Sequence, residues 1–187
     1  MIQNRKKLLE FGLLLGGINV FMGLLLYLTG PKYMAKWWMG ILVLVAIITI
    51  HFVIAFRYRK AVGGFMSYWQ GYLASFGLSV MGAFIGVLFN ALLFGVIDPD
   101  LNEKIKNATM ENTIEMLESF NMPQEDIDKA LDGIEKSFAE RDKGMVAQAI
   151  GFFWQLVIAA IFAFIVAAFL RKNPPADSSG TLDTQAN

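Results

Sequence analysis

The chain has 187 residues, 56% of them hydrophobic, with 16 phenylalanines, no cysteine, and 16 basic residues balancing 16 acidic ones. A mean hydropathy of +0.49 is too high for an ordinary soluble domain, and the apolar residues are gathered into long blocks. The lack of cysteine excludes disulfides, thiolate metal sites and cysteine catalysis in this chain; without a basic excess or a phosphate-binding loop, nothing points to nucleic acid.

In chain order, Met1–Lys7 is polar and carries Arg5, Lys6 and Lys7, and Leu8–Leu28 follows as a run charged only at Glu10. That length crosses a hydrocarbon core of roughly 30 Å at about 1.5 Å per residue, which predicts a first transmembrane helix. A cleaved signal peptide would end its shorter apolar region at a small-x-small site, and Leu24-Leu25-Leu26-Tyr27-Leu28 offers none. Thr29–Lys36 is a short connection with the turn signal Gly30-Pro31, and Trp37 and Trp38 suit a membrane interface. A second helix is expected over 38–56, closed by Arg57, Arg59 and Lys60, and a linker over Ala61–Gln70 in which Tyr68 and Trp69 mark the opposite interface.

The third expected span, 71–97, is uncharged and rich in small residues, and Asp98-Pro99-Asp100 ends it. The fourth, within 145–172, ends at Arg171-Lys172; Pro174-Pro175 stops any helix, and the remainder to Asn187 reads as a disordered tail. The third and fourth runs would span about 40 Å, some 10 Å beyond the core. Tilt can absorb the excess, or both helices can rise as a stalk for the segment between them.

Lys and Arg set the orientation. Arg5, Lys6, Lys7, Arg57, Arg59, Lys60, Arg171 and Lys172 fall on one side, against Lys32 and Lys36 in the other side's short loop. The positive-inside rule then puts both termini in the cytoplasm and residues 98–144 outside, in the periplasm of a Gram-negative host. That outer segment holds 13 acidic and six basic residues, a net −7. Met110, Ile114 and Leu117 in one stretch, and Ile127, Leu131, Ile134 and Phe138 in the next, predict two amphipathic helices, Leu101–Phe120 and Pro123–Phe138, joined at Asn121-Met122. Each carries an acidic stripe, Glu111, Glu115 and Glu118 in the first and Asp128, Asp132 and Glu135 in the second. Like charges at i,i+4 cost a helix a few tenths of a kcal/mol per pair, so a cation, a basic partner or plain solvation must accommodate them. The spacing is no EF-hand.

Helix packing is expected at small-residue rows: Gly12 and Gly16; Gly71, Ser75 and Ser79; Gly82, Gly86 and Asn90. Intramembrane polar residues are few, namely Asn19, His51, Asn90 and Gln155, with Glu10 within reach of Lys6. Each is costly to bury without a partner, and His51 lies at a depth that Ser75 or Ser79 could share. A lone histidine makes no typical zinc site, and no nucleophile, acid or base set is apparent.

Trp38 and Gly40 opening the second helix, His51 near its end, and Tyr72, Phe76, Gly82 and Gly86 in the third form a pattern with the Ile97-Asp98-Pro99-Asp100 exit and the Arg171-Lys172-Asn173-Pro174 ending. It resembles the Bacteroidota membrane proteins catalogued as domain of unknown function 4199, over nearly the whole chain to about Pro175. The resemblance implies a four-helix inner-membrane protein with an extracytoplasmic helical insertion before the last span; it brings no activity and no site residues. Leu101 departs from the aromatic residue usual after the Asp-Pro-Asp.

The sequence therefore predicts an all-α integral membrane four-helix bundle with an acidic outer hairpin. The expected role is that of a non-enzymatic structural or accessory subunit in the lipid bilayer. It would use no cofactor and would bind a membrane-protein partner through the hairpin, or associate with further copies of itself through one of the small-residue rows. The alternative is a small oligomeric transporter or channel lined by Asn19, His51, Asn90 and Gln155.

Overall fold

A computed structural model describes residues 2–141 and 145–173; the expected tail lies beyond them. The fold is all-α: α1 (Ile2–Thr29), a single turn α2 (Pro31–Met34), α3 (Trp37–Ala61), α4 (Tyr68–Leu92), α5 (Leu101–Ser119), α6 (Gln124–Arg141) and α7 (Met145–Leu170). Among the described residues, four helices are long and apolar enough to cross a bilayer: Asn4–Thr29, Trp37–Ala61, Tyr68–Ile97 and Ala149–Leu170. α1 and α3 outrun the expected 8–28 and 38–56 because charge does not end a helix. Lys and Arg are good helix formers whose long stems carry the charge away from the apolar zone.

At one end of the bundle the backbone ends are tied by the basic residues. The Lys7 ammonium donates to the Ala61 carbonyl, and Arg59 Nη1 donates to the Leu170 carbonyl at 3.2 Å, so two helix C-termini receive the cations their dipoles favour. Met66 and Lys172 exchange a pair of backbone hydrogen bonds, 2.9 Å each. Ser67 and Gln70 form a reciprocal capping box at the start of α4. The eight lysines and arginines assigned to one side thus share this basic end, and α1 and α4 start there while α3 and α7 finish there. α1 and α4 consequently run parallel, and α4 and α7 antiparallel.

The core lies near the basic end. Leu15, Ile54, Ala55, Tyr58, Met66, Ala74, Leu78, Val166 and Leu170 form one buried cluster, with Phe52 edge-on to Phe162 and Phe169. Among the described side chains, α3 buries only His51, Ile54, Ala55 and Tyr58, and α7 only Ala163, Val166, Ala167 and Leu170. The other halves of these two helices expose apolar side chains such as Val45 and Ile158.

At the opposite end α4 does not stop at Leu92. It widens into a π-helical turn, Leu93–Ile97, whose last bond runs from the Asp98 N–H to the Leu93 carbonyl at 2.8 Å. Asp98 is extended (φ −143°, ψ 82°), as a residue before proline prefers. α5 then folds back over the bundle: Lys104 reaches Asp98, and Asn112 Nδ2 donates to the Lys32 carbonyl at 3.1 Å. The hairpin therefore folds back on this end of the bundle as a cap. Its turn is closed by Asn121 in the left-handed region (φ 54°), with Met122 N–H bonded to the Leu117 carbonyl at 3.1 Å.

Candidate functional site

The small residues of α1 form its contact with α4. Gly12 meets Met81, Gly16 meets Ile85 and Gly23 meets Phe89, so three α4 side chains spaced four apart enter the notches that the glycines leave. A Cβ on Gly16 would stand 2.9 Å from Ile85 Cβ, and one on Gly12 would stand 2.6 Å from Met81 Sδ. The third-span row divides between neighbours. Gly71 is buried against Ala167 and Leu170 of α7, and Gly82 faces Leu15 and Asn19. Ser75 turns to α3, and Ser79 is half-buried. Gly86 does not belong to a packing row: a Cβ there would meet nothing within 4 Å. Gly23 and Gly77, the latter against Leu8, were missed because each stands outside a four-residue repeat.

The intramembrane polar residues do not converge. His51 Nε2 and Ser75 Oγ share a hydrogen bond of 2.8 Å, 5% and 0% exposed respectively, with the imidazole edge-on to Phe162 at 5.1 Å. Asn19 Oδ1 is buried with no hydrogen-bond partner, although its amide nitrogen borders Gly82. Asn90 is exposed and donates to the Gly86 carbonyl of its own helix at 2.9 Å, which satisfies it locally rather than across a helix pair. Gln155 is exposed beside exposed Trp154 and Ile158. Glu10 is exposed and enters none of the described ion pairs.

The capped end holds the densest polar chemistry. Asp98, its side chain 15% exposed, takes the Lys104 ammonium at 2.8 Å and the Tyr27 hydroxyl at 3.4 Å, joining α1, the exit of α4 and α5 at one carboxylate. That hydrogen bond holds the Lys104 pKa above its ordinary value, outweighing the opposing effect of desolvation. Lys32 lies 3.6 Å from both Glu111 and Glu115, and their charges raise its pKa, Glu111 foremost.

Lys32 thus faces two carboxylates of the first acidic stripe from within the chain, while Glu111, Glu115 and Glu118 all remain exposed. In α6, Gln124 donates to Asp128 at 3.0 Å and Lys129 pairs with Glu125 and Asp126, while Asp132 and Glu135 are exposed. Among the described residues no group of three or more acidic or imidazole side chains could hold a metal ion.

Four apolar helices and a helical cap at one end define a multi-pass α-helical membrane protein. The family described as "Protein of unknown function (DUF4199)" matches residues 10–172, and the chain belongs to it. No curated protein and no solved structure matches the chain.

Proposed function

We propose that the protein is a non-enzymatic accessory subunit of an inner-membrane assembly, with both termini in the cytoplasm and residues 98–144 in the periplasm. The grouping of eight lysines and arginines at the basic end supports that orientation under the positive-inside rule. The observation that carries the subunit role is Gln155. Its carboxamide stands exposed in the half of α7 where none of the described side chains is buried, one turn from Gly151, where a Cβ would meet nothing within 4 Å. An amide facing hydrocarbon costs several kcal/mol without a partner. A small residue four positions away lets a second helix approach and supply one. The acidic outer face of the hairpin, with Glu118, Asp132 and Glu135 unclaimed by described ion pairs, offers the same partner a second contact outside the bilayer.

Purification of the tagged chain in mild detergent is expected to recover a stoichiometric companion or a homo-oligomer, and Gln155→Leu to release it. A monodisperse monomer, in detergent and after cross-linking in membranes, contradicts the proposal. The outward-facing Asn90 and Gln155 also leave room for a transport path assembled between copies. Flux in proteoliposomes that vanishes in His51→Ala and Asn90→Ala would favour that second reading.

A further inference from the structure

We infer that the elbow of the hairpin, Phe120 together with Met116 and Met122, docks on the lipid surface beside Trp37 and holds the cap at the membrane boundary. Asn112, Met116 and Phe120 recur every four residues and so share one face of α5. The first is fixed on the Lys32 carbonyl at 3.1 Å. The second lines a cleft of about 300 Å³ with Trp37 and Trp38. This face is therefore the one turned toward the bundle.

One turn further on, about 6 Å along the axis, Phe120 continues the same face, yet it is 70% exposed. Trp37, also 70% exposed, begins α3 at the level where a span leaves the hydrocarbon and amphipathic rings settle among the headgroups. Phe120 thus sits near headgroup depth with no described residue covering most of its ring. Met116 and Met122, 39% and 40% exposed, extend the apolar surface on either side.

The elbow is also held rigidly enough to fix a depth. Asn121 N–H bonds the Glu118 carbonyl at 2.9 Å and Met122 N–H bonds the Leu117 carbonyl at 3.1 Å. Glu118, two residues from both Met116 and Phe120, falls on the other side of the helix, and Glu115, which lines the same cleft as Met116, is faced by the Lys32 ammonium at 3.6 Å. A lipid boundary fits this patch better than a protein partner does, because Met116 shares its cleft with Trp37 and Trp38, where the exposed apolar flank of α3 begins. The inference rests on the spanning assignment of α3 and not on the subunit role proposed above.

The chain has no cysteine, so single cysteines can be introduced into the full-length protein at Phe120, Met122, Glu118 and Val45 and labelled with nitroxide. In vesicles of phosphatidylethanolamine and phosphatidylglycerol, the ratio of oxygen to nickel-chelate collisions is expected to be higher at 120 and 122 than at 118 and lower than at 45. A ratio at both elbow positions equal to that at 118 overturns the inference in favour of water. Suppression of both collision rates there overturns it in favour of a protein contact. A water-like ratio at 45 overturns the spanning assignment and the inference with it. Reading two elbow positions keeps the outcome decisive if Phe120→Cys itself unsettles the turn.

Discussion

The α1–α4 contact gives the sharpest stability prediction. Gly16→Ala places a Cβ 2.9 Å from Ile85 Cβ and 3.0 Å from its Cγ1, closer than real Cβ atoms pack, and neither atom is the free end of a flexible side chain. Overpacking of this kind costs about 1–3 kcal/mol. The opposing gain in helix propensity reaches at most about 1 kcal/mol in water, and it shrinks in lipid, where the backbone has no alternative partner. The net expectation is a loss of about 1–2 kcal/mol, roughly 5- to 30-fold in the unfolding equilibrium. The control is the adjacent Gly17→Ala, where a Cβ meets nothing within 4 Å; it should be neutral or slightly stabilising. Reversible unfolding by dodecyl sulfate in mixed micelles, followed by far-UV circular dichroism, measures both. Adding Ile85→Val, which removes the Cδ1 methyl, should recover part of the loss. Coincident transitions for Gly16→Ala and Gly17→Ala would refute the notch packing.

The same titration should separate the two buried polar sites. Ser75→Ala strips His51 of its partner and should cost about 0.6–1.7 kcal/mol, the range of intramembrane hydrogen bonds. Asn19→Leu removes an already unpaired carbonyl oxygen and should be neutral or stabilising. Lys32 has a folded pKa raised above 10.5, so its contribution is fully present below 10.5 and is lost as pH rises through the higher folded value. Distances between spin labels at Ser137 and Val45 should therefore stay constant from neutral pH up to about 10 and broaden only above it. Asp98→Asn should return Lys104 toward its ordinary pKa and quicken amide exchange over Leu101–Lys106 without changing exchange in α3. Unchanged exchange would mean that Asp98 does not fasten the cap.

Much of the architecture is legible in the sequence, because hydropathy runs, Lys and Arg placement and amphipathic periodicity are local signals. What eludes it is direction around each span. A helix apolar on every side has no periodic stripe to show which face is covered, so Asn90 and Gln155 looked as buried as His51 and Ser75 until neighbours were placed. Gly86 and Gly16 likewise share the same four-residue spacing with another glycine or asparagine, yet only Gly16 receives a side chain from another helix. The Lys32–Glu111–Glu115 cluster joins residues about 80 positions apart. Its one visible hint was charge, since Lys32 and Lys36 were the only cations assigned to the short loop on the acidic side. The cap's lie across the bundle follows from the Asp98 backbone and its bond to Lys104, a geometry that the Asp-Pro-Asp sequence flags as a break without giving its angle.

Site-directed accessibility tests the four-span bundle most directly. Single cysteines at Phe65, in the basic-end loop, and at Ser137, on the exposed side of α6, can be probed with a membrane-impermeant maleimide in spheroplasts. Labelling of 137 in intact spheroplasts, with 65 reacting only after permeabilisation, is the expected result. Equal labelling of both from outside would contradict the bundle with its two opposed ends.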